Sequence, residues 1–216
     1  MDILSQSINY TLFGMSLLEL IAVVFTFTSI LLAVKEKIWT FPLAIVGSLL
    51  FLYLFFDHRV YSSAVLQLVF LSFNLFGWWK WTHPKADEAK ADKTLAVSIL
   101  SWKGRSITLL ISIVLYVGLV FIMSHLHLWL PAIFPSKANS VWIDTFILAA
   151  SLTGQYLMAI KKLENWVFWI AVDVIAAPFY FFTVGYATGI MYLAFIFTGF
   201  MGFLNWKKSY HQTIHH

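Results

Sequence analysis

The chain has no cysteine, which removes disulfides, thiolate metal ligands and cysteine nucleophiles from consideration. Charge is scarce as well: 11% of the 216 residues are Asp, Glu, Lys or Arg, about half the share usual in a soluble domain. There is no Ser-His-Asp set with workable geometry, no H-E-x-x-H and no Walker loop, so neither an enzyme nor a cofactor is expected. The opening MDILSQSINY has no basic stretch ahead of its apolar residues, which argues against a cleaved signal peptide. What fills the chain instead is 61% hydrophobic and 19% aromatic residues, with a mean hydropathy of +0.82. No interior of this size hides that much apolar surface from water. The composition excludes a soluble enzyme, a disordered chain and a nucleic-acid binder, despite a pI near 9.2. It describes an all-α integral membrane protein.

A bilayer core takes about 20 apolar residues per helix, and a helix satisfies its own backbone in lipid. Apolar runs between polar breaks give seven spans: Ser16 to Val34, Trp39 to Phe56, Val60 to Trp79, Ser106 to Ser124, Val141 to Ile160, Asn165 to Phe182 and Tyr186 to Leu204. Alternating assignment of the loops puts twelve basic residues on one side: Lys35, Lys37, Lys80, Lys85, Lys90, Lys93, Lys103, Arg105, Lys161, Lys162, Lys207 and Lys208. Only Arg59 and Lys137 fall on the other. The positive-inside bias places the N-terminus outside and the C-terminus in the cytoplasm. Trp39, Trp78, Trp79, Trp81, Trp166 and Trp206 gather near the inner ends, where an aromatic belt belongs.

The chain also repeats itself. An offset of 125 lays RVYSSAVLQLVFLSFNLFGWWKW on VGYATGIMYLAFIFTGFMGFLNW, matching Tyr61 with Tyr186, Gly77 with Gly202 and Trp81 with Trp206. Upstream, with small slips, Glu19 falls near Asp144, Lys35 near Lys161 and Trp39 near Trp166. This predicts a first three-helix repeat over residues 1–79, a cytoplasmic loop over 80–105, a linking helix over 106–124, a second repeat over 139–208 and a polar tail over 209–216. Three helices change the side of the membrane and one linking helix restores it, so the repeats are parallel, a 3+1+3 order like that of SWEET transporters. Such bundles hold their substrate near the midplane at the repeat interface.

Polar side chains inside hydrocarbon are costly and usually face a partner or a water-filled path. Gln67, Asn74, Trp78 and Trp81 share one face of the third span; Asp144, Ser151 and Gln155 one face of the fifth; Trp166, Trp169, Asp173 and Tyr180 one face of the sixth. Asp173 sits near the middle of its span, where a carboxylate costs about 2.5–3.5 kcal/mol even on the translocon scale. Interhelical hydrogen bonding is the competing role for these groups, above all for Gln67 and Asn74. Glu19 and Asp144 stand at equivalent outer positions, as helix-end charges or as an acidic vestibule for cations. Carboxylates and amides among aromatic rings suit a flat cationic heterocycle with hydroxyl groups. On that reading Gln67, Asn74, Gln155 and Asp173 make the polar contacts. Trp78, Trp169 and Tyr192, the repeat mate of Gln67, stack on or gate the ring, while Glu19, Asp144 and Trp166 act as gate or vestibule. Gly47, Gly77, Gly199 and Gly202 allow close helix approach. His125-x-His127 is expected in a loop at the interface, with no metal site assigned, and His211, His215 and His216 in the tail.

KEKIWTFP, VYSSAVLQLVFLSFNLFGWWKW and ENWVFWIAVDVI resemble the PnuC family of bacterial vitamin transporters, over all seven spans. The resemblance implies two three-helix repeats around a linking helix, facilitated diffusion of an unphosphorylated vitamin precursor across the inner membrane, and a cytoplasmic kinase that traps it. It also implies a homotrimer. Nicotinamide riboside is the expected substrate, with thiamine the alternative, because Asp173 stands where nicotinamide riboside carriers have asparagine; riboflavin is carried by further relatives. The remaining rivals are a proton-coupled carrier and a membrane scaffold that transports nothing.

Overall fold

The computed structural model describes residues 16–57, 61–89, 94–132, 140–183 and 186–214. Among the described residues seven helices follow one another: α1 (Leu17–Val34), α2 (Thr40–Asp57), α3 (Tyr61–Thr82), α4 (Trp102–Trp129), α5 (Val141–Ala159), α6 (Asn165–Thr183) and α7 (Tyr186–Ile214). Five of them are long and apolar enough on their own to cross a bilayer. The two that are not, α3 and α5, carry the amides Gln67, Asn74 and Gln155 among Ser and Thr. Arg59, Lys90, Lys93, Lys137, His215, His216 and the first fifteen residues lie outside the described set.

Contacts divide the chain into two compact units, one holding α1–α3 as far as Ala96 together with the last residues from His211, the other running from Val97 to Tyr210. In the first unit α1 packs on α2 and α2 on α3. Ser16 caps α1, its Oγ accepting from the Glu19 N–H at 3.1 Å. Thr40 Oγ1 donates to Ser29 O at 2.8 Å, tying the start of α2 to α1. After α3 the chain turns back: Leu95 N–H donates to Trp81 O at 3.1 Å and Ala96 N–H to Glu88 O at 2.9 Å, while Lys80 Nζ meets Glu88 Oε2 at 2.8 Å.

In the second unit α4 packs on α5 and α5 on α6. Ser101 caps α4, and Ser112 Oγ lies 3.0 Å from Thr153 Oγ1. The segment ahead of α4 runs beside the α5–α6 turn, with Ser98 N–H donating to Lys161 O at 3.2 Å and Leu163 N–H to Ser98 O at 2.9 Å. The Glu164 carboxylate finishes this junction, accepting from Leu100 N–H at 3.0 and 3.2 Å and from Arg105 Nε at 3.0 Å. Small residues set the helix contacts. A Cβ on Gly47 would lie 2.5 Å from Thr26 Oγ1, one on Gly199 2.8 Å from Ile170, and one on Gly202 2.5 Å from the Trp166 indole.

The turns leaving α1 and α5 close in the same way. Glu36 and Lys161 both have φ 55°. Glu36 N–H donates to Ala33 O and Lys37 N–H to Leu32 O; Lys161 N–H donates to Met158 O and Lys162 N–H to Leu157 O. This is the Schellman ending, in which glycine usually takes the left-handed position. Thr40 N–H to Lys37 O and Phe41 N–H to Ile38 O likewise match Asn165 N–H to Lys162 O and Trp166 N–H to Leu163 O. The backbone therefore pairs Glu36 with Lys161 and Phe41 with Trp166 at the one offset of 125, so the slips that paired Lys35 and Trp39 with these residues disappear.

Two helices outrun their apolar spans: α4 starts one turn early and continues to Trp129, and α7 runs on to Ile214. Span length measures hydrocarbon, whereas helices continue into the headgroup layer. His125 and His127 consequently lie in α4 and not in a loop. Two residues apart on a helix, they project to different faces. His125 stacks on Trp129 at 5.7 Å.

Candidate functional site

The first unit contributes the α3 face. Asn74 is buried and Gln67 half-buried, while Trp78 is exposed and lines an open groove of about 300 Å³ with Leu75, Trp79, Thr82 and His83. That groove is apolar and lies at the lysine-rich end of α3. Trp81, on the same predicted stripe, is only 1% exposed and stands edge-on to Phe41 at 4.9 Å. Glu19 is half-buried in the first turn of α1, where the helix dipole favours its charge.

The second unit holds the buried acid. Asp173 lies at mid-length of α6 with 5% of its surface exposed, and among the described residues it makes no ion pair and no hydrogen bond. Tyr192, on α7, stacks face to face on Tyr180, ring centroids 5.1 Å apart and 19° from parallel, and meets Phe195 edge-on at 5.9 Å. Tyr180 is two helical turns beyond Asp173 on α6, and Asp144 is exposed in the first turn of α5. Trp169 is half-buried against α5: a Cβ on Gly154, next to Gln155, would lie 3.4 Å from its Nε1.

Trp166 sits apart from these groups, at the lysine-rich end of α6. It is 2% exposed, packed on Gly202 and edge-on to Trp206 at 5.5 Å. Asn165 Oδ1 and Trp166 Nε1 are buried without a hydrogen-bond partner among the described residues, although Asn165 Nδ2 donates to Lys162 O at 2.6 Å.

The structure thus stacks Tyr192 on Tyr180, sets Trp169 against Gly154 of α5, and puts Asp144 and Trp166 at opposite ends of their unit. Sequence reasoning placed Tyr180 on the Asp173 stripe but gave it no role, and it missed Glu164 as a junction residue. The i+7 spacing to Asp173 was the signal for Tyr180; its stacking partner belongs to another helix and left no local trace. In chemical terms the second unit holds a buried carboxylate on the helix that also carries Trp169 and Tyr180, and both kinds of group attract cations.

Residues 16–208 match the family described as nicotinamide mononucleotide transporter. The nicotinamide riboside transporter PnuC of Escherichia coli (strain K12) is 25% identical over 210 residues, covering 91% of this chain and 87% of that protein. The riboflavin/roseoflavin transporter RibM of Streptomyces davaonensis is 22% identical over 175 residues, covering 81% and 75%. A crystal structure of the vitamin B3 transporter PnuC superposes with a TM-score of 0.67 at 20% identity, over 90% of this chain and 82% of that one. These relatives are transporters and not enzymes. With the match running from the cap of α1 into α7, the chain belongs to the nicotinamide mononucleotide transporter family, the family of PnuC.

Proposed function

We propose that this protein carries an unphosphorylated, cationic vitamin precursor across the bacterial inner membrane by facilitated diffusion, with nicotinamide riboside as substrate and cytoplasmic phosphorylation setting the direction. The observation that carries the reading is Asp173: a buried carboxylate in mid-helix, on the helix that also carries Trp169 and Tyr180, with no ion pair among the described residues. Such a charge is costly to keep unless a cation visits it. Gln67, Asn74 and Gln155 supply hydroxyl and carboxamide contacts, and Trp78, Trp169 and Tyr192 supply ring faces.

We infer also that α1–α3 and α5–α7 are parallel repeats with α4 as the link, the N-terminus outside and transport proceeding by alternating access. The matched turns at Glu36 and Lys161 support the repeat, and the lysines at one set of helix ends support the orientation.

Thiamine is the second reading. It too is cationic and aromatic, and its aminopyrimidine donates a hydrogen bond that a carboxylate accepts more readily than an amide does. Titration of the purified protein with nicotinamide riboside, thiamine and riboflavin, followed through its ten tryptophans, separates the possibilities. Nicotinamide riboside is expected to bind, and Asp173→Ala to weaken it more than tenfold. Tighter binding of thiamine moves the assignment to the second reading. Binding of neutral riboflavin alone overturns both.

A further inference from the structure

Tyr180 and Tyr192 close the way to Asp173 from the lysine-poor end of the second unit. Tyr180 rises from α6 and Tyr192 from α7, and the two rings lie nearly parallel at 5.1 Å. Beside them α7 comes close to α6: a Cβ on Gly189 would lie 2.7 Å from Phe181 Cβ, so a side chain there would press on Phe181. Beyond the stack is Asp144, exposed; beneath it is Asp173, buried. Pro178 stands inside α6 between Asp173 and Tyr180. It has no N–H to give Val174 O, so the outer turn of α6 is joined to the rest by one hydrogen bond fewer.

From this arrangement we propose that the Tyr180–Tyr192 stack is the outer gate and a transit site, which a flat aromatic cation opens by inserting between the two rings on its way from Asp144 to Asp173. A guest ring between two others needs about 7 Å between the outer planes, two van der Waals contacts in place of one. Opening breaks one ring pair and insertion makes two, and a cationic guest gains further from both faces. A guest that is not flat recovers none of this, so the stack selects for aromatic cations before Asp173 meets them. The weakened turn at Pro178 lets Tyr180 swing while Asp173 stays in place. The inference rests on the cationic substrate proposed above, and its test is chosen so that the gate is judged separately.

The absence of native cysteine permits that test. In Asp173→Cys the single thiol is modified from outside intact spheroplasts by a quaternary-ammonium methanethiosulfonate. Adding Tyr180→Leu is expected to raise the modification rate more than fivefold, and Tyr180→Phe, which keeps the ring, less than twofold. Equal rates in all three overturn the gate whatever the substrate is. In the protein with Asp173 intact, Tyr180→Leu is expected to let the non-aromatic cation choline compete with nicotinamide riboside and thiamine uptake at a concentration at least fivefold lower than in the parent, and Tyr180→Phe to match the parent. Choline competing equally in all three refutes the gate. A parent protein that takes up neither vitamin refutes the substrate, while the modification rates still decide the gate.

Discussion

Trp166 lies edge-on to Trp206 with ring centroids 5.5 Å apart at 88°, and Phe41 stands to Trp81 in the same relation at 4.9 Å and 89°. Each pair joins the start of one helix to the end of the next. Around Trp166 the packing leaves no slack, because a Cβ on Gly202 would lie 2.5 Å from its indole, itself 2% exposed. Gly202→Ala is therefore expected to destabilise the protein by about 1–3 kcal/mol through overpacking. Gly118 is the control, with nothing within 4 Å of its would-be Cβ. Gly118→Ala should leave stability unchanged or raise it by up to about 1 kcal/mol through helix propensity. Thermal unfolding in detergent compares the two, and equal midpoints would remove the packing argument.

The helices themselves were open to reading because lipid enforces a simple rule: an apolar run of bilayer length forms a helix. Their ends were less legible, since Leu126 to Trp129 and Lys207 to Ile214 remain helical outside the hydrocarbon, where composition no longer marks them. The turns leaving α1 and α5 were obscured for another reason. A Schellman ending is normally flagged by glycine, but Glu36 and Lys161 occupy the left-handed position, so the sequence carries no marker of where either turn falls. Asp173 was visible from its depth alone. Its neighbours were not, because helical periodicity gives the face of one helix and says nothing of which ring from α7 meets it. The burial of Trp166 on Gly202 also left no mark in the sequence of α6.

Glu164 joins α4 to the α5–α6 turn through three contacts, two from Leu100 N–H and one from Arg105 Nε. Replacing it with alanine leaves a backbone donor and a guanidinium without their acceptor, at a cost of about 1–3 kcal/mol. Glu164→Gln retains a carbonyl for Leu100 and should restore much of that. Arg105 is half exposed, and a surface pair contributes under about 1 kcal/mol, so Arg105→Ala is expected to be the milder change. Limited trypsin cleavage at Lys103, which lies between the two contacts, reports the order. Faster cleavage in Arg105→Ala than in Glu164→Ala would mean that the backbone bond is not the anchor.

Asp144 is exposed in the first turn of α5. If the substrate is a cation, this charge draws it in over a distance set by salt, about 30 Å at 0.01 M but only about 3 Å at 1 M. Asp144→Asn should lower the initial uptake rate several-fold in low salt and have little effect in high salt. A loss independent of ionic strength would point to direct contact in place of attraction from a distance.

The Lys80–Glu88 pair gives a pH dependence with a definite sign. The Lys80 ammonium, hydrogen-bonded at 2.8 Å, holds the Glu88 carboxyl below its ordinary value of 4.5, with burial opposing and Lys85 adding a smaller pull. A carboxyl whose value is depressed by folding contributes stability in full above 4.5, and the contribution fades as pH falls through the folded value. Both side chains are partly exposed, so the effect stays local and under about 1 kcal/mol. It should register where the loop leans on Glu88: the Ala96 amide, which donates to Glu88 O, is expected to lose hydrogen-exchange protection below about pH 4.5 relative to the Arg105 amide held by Ser101 O. Glu88→Gln removes the titrating group and with it the pH dependence, leaving Ala96 less protected at neutral pH. If Ala96 keeps the same pH profile in Glu88→Gln, another carboxyl controls the loop and the ion pair is incidental to it.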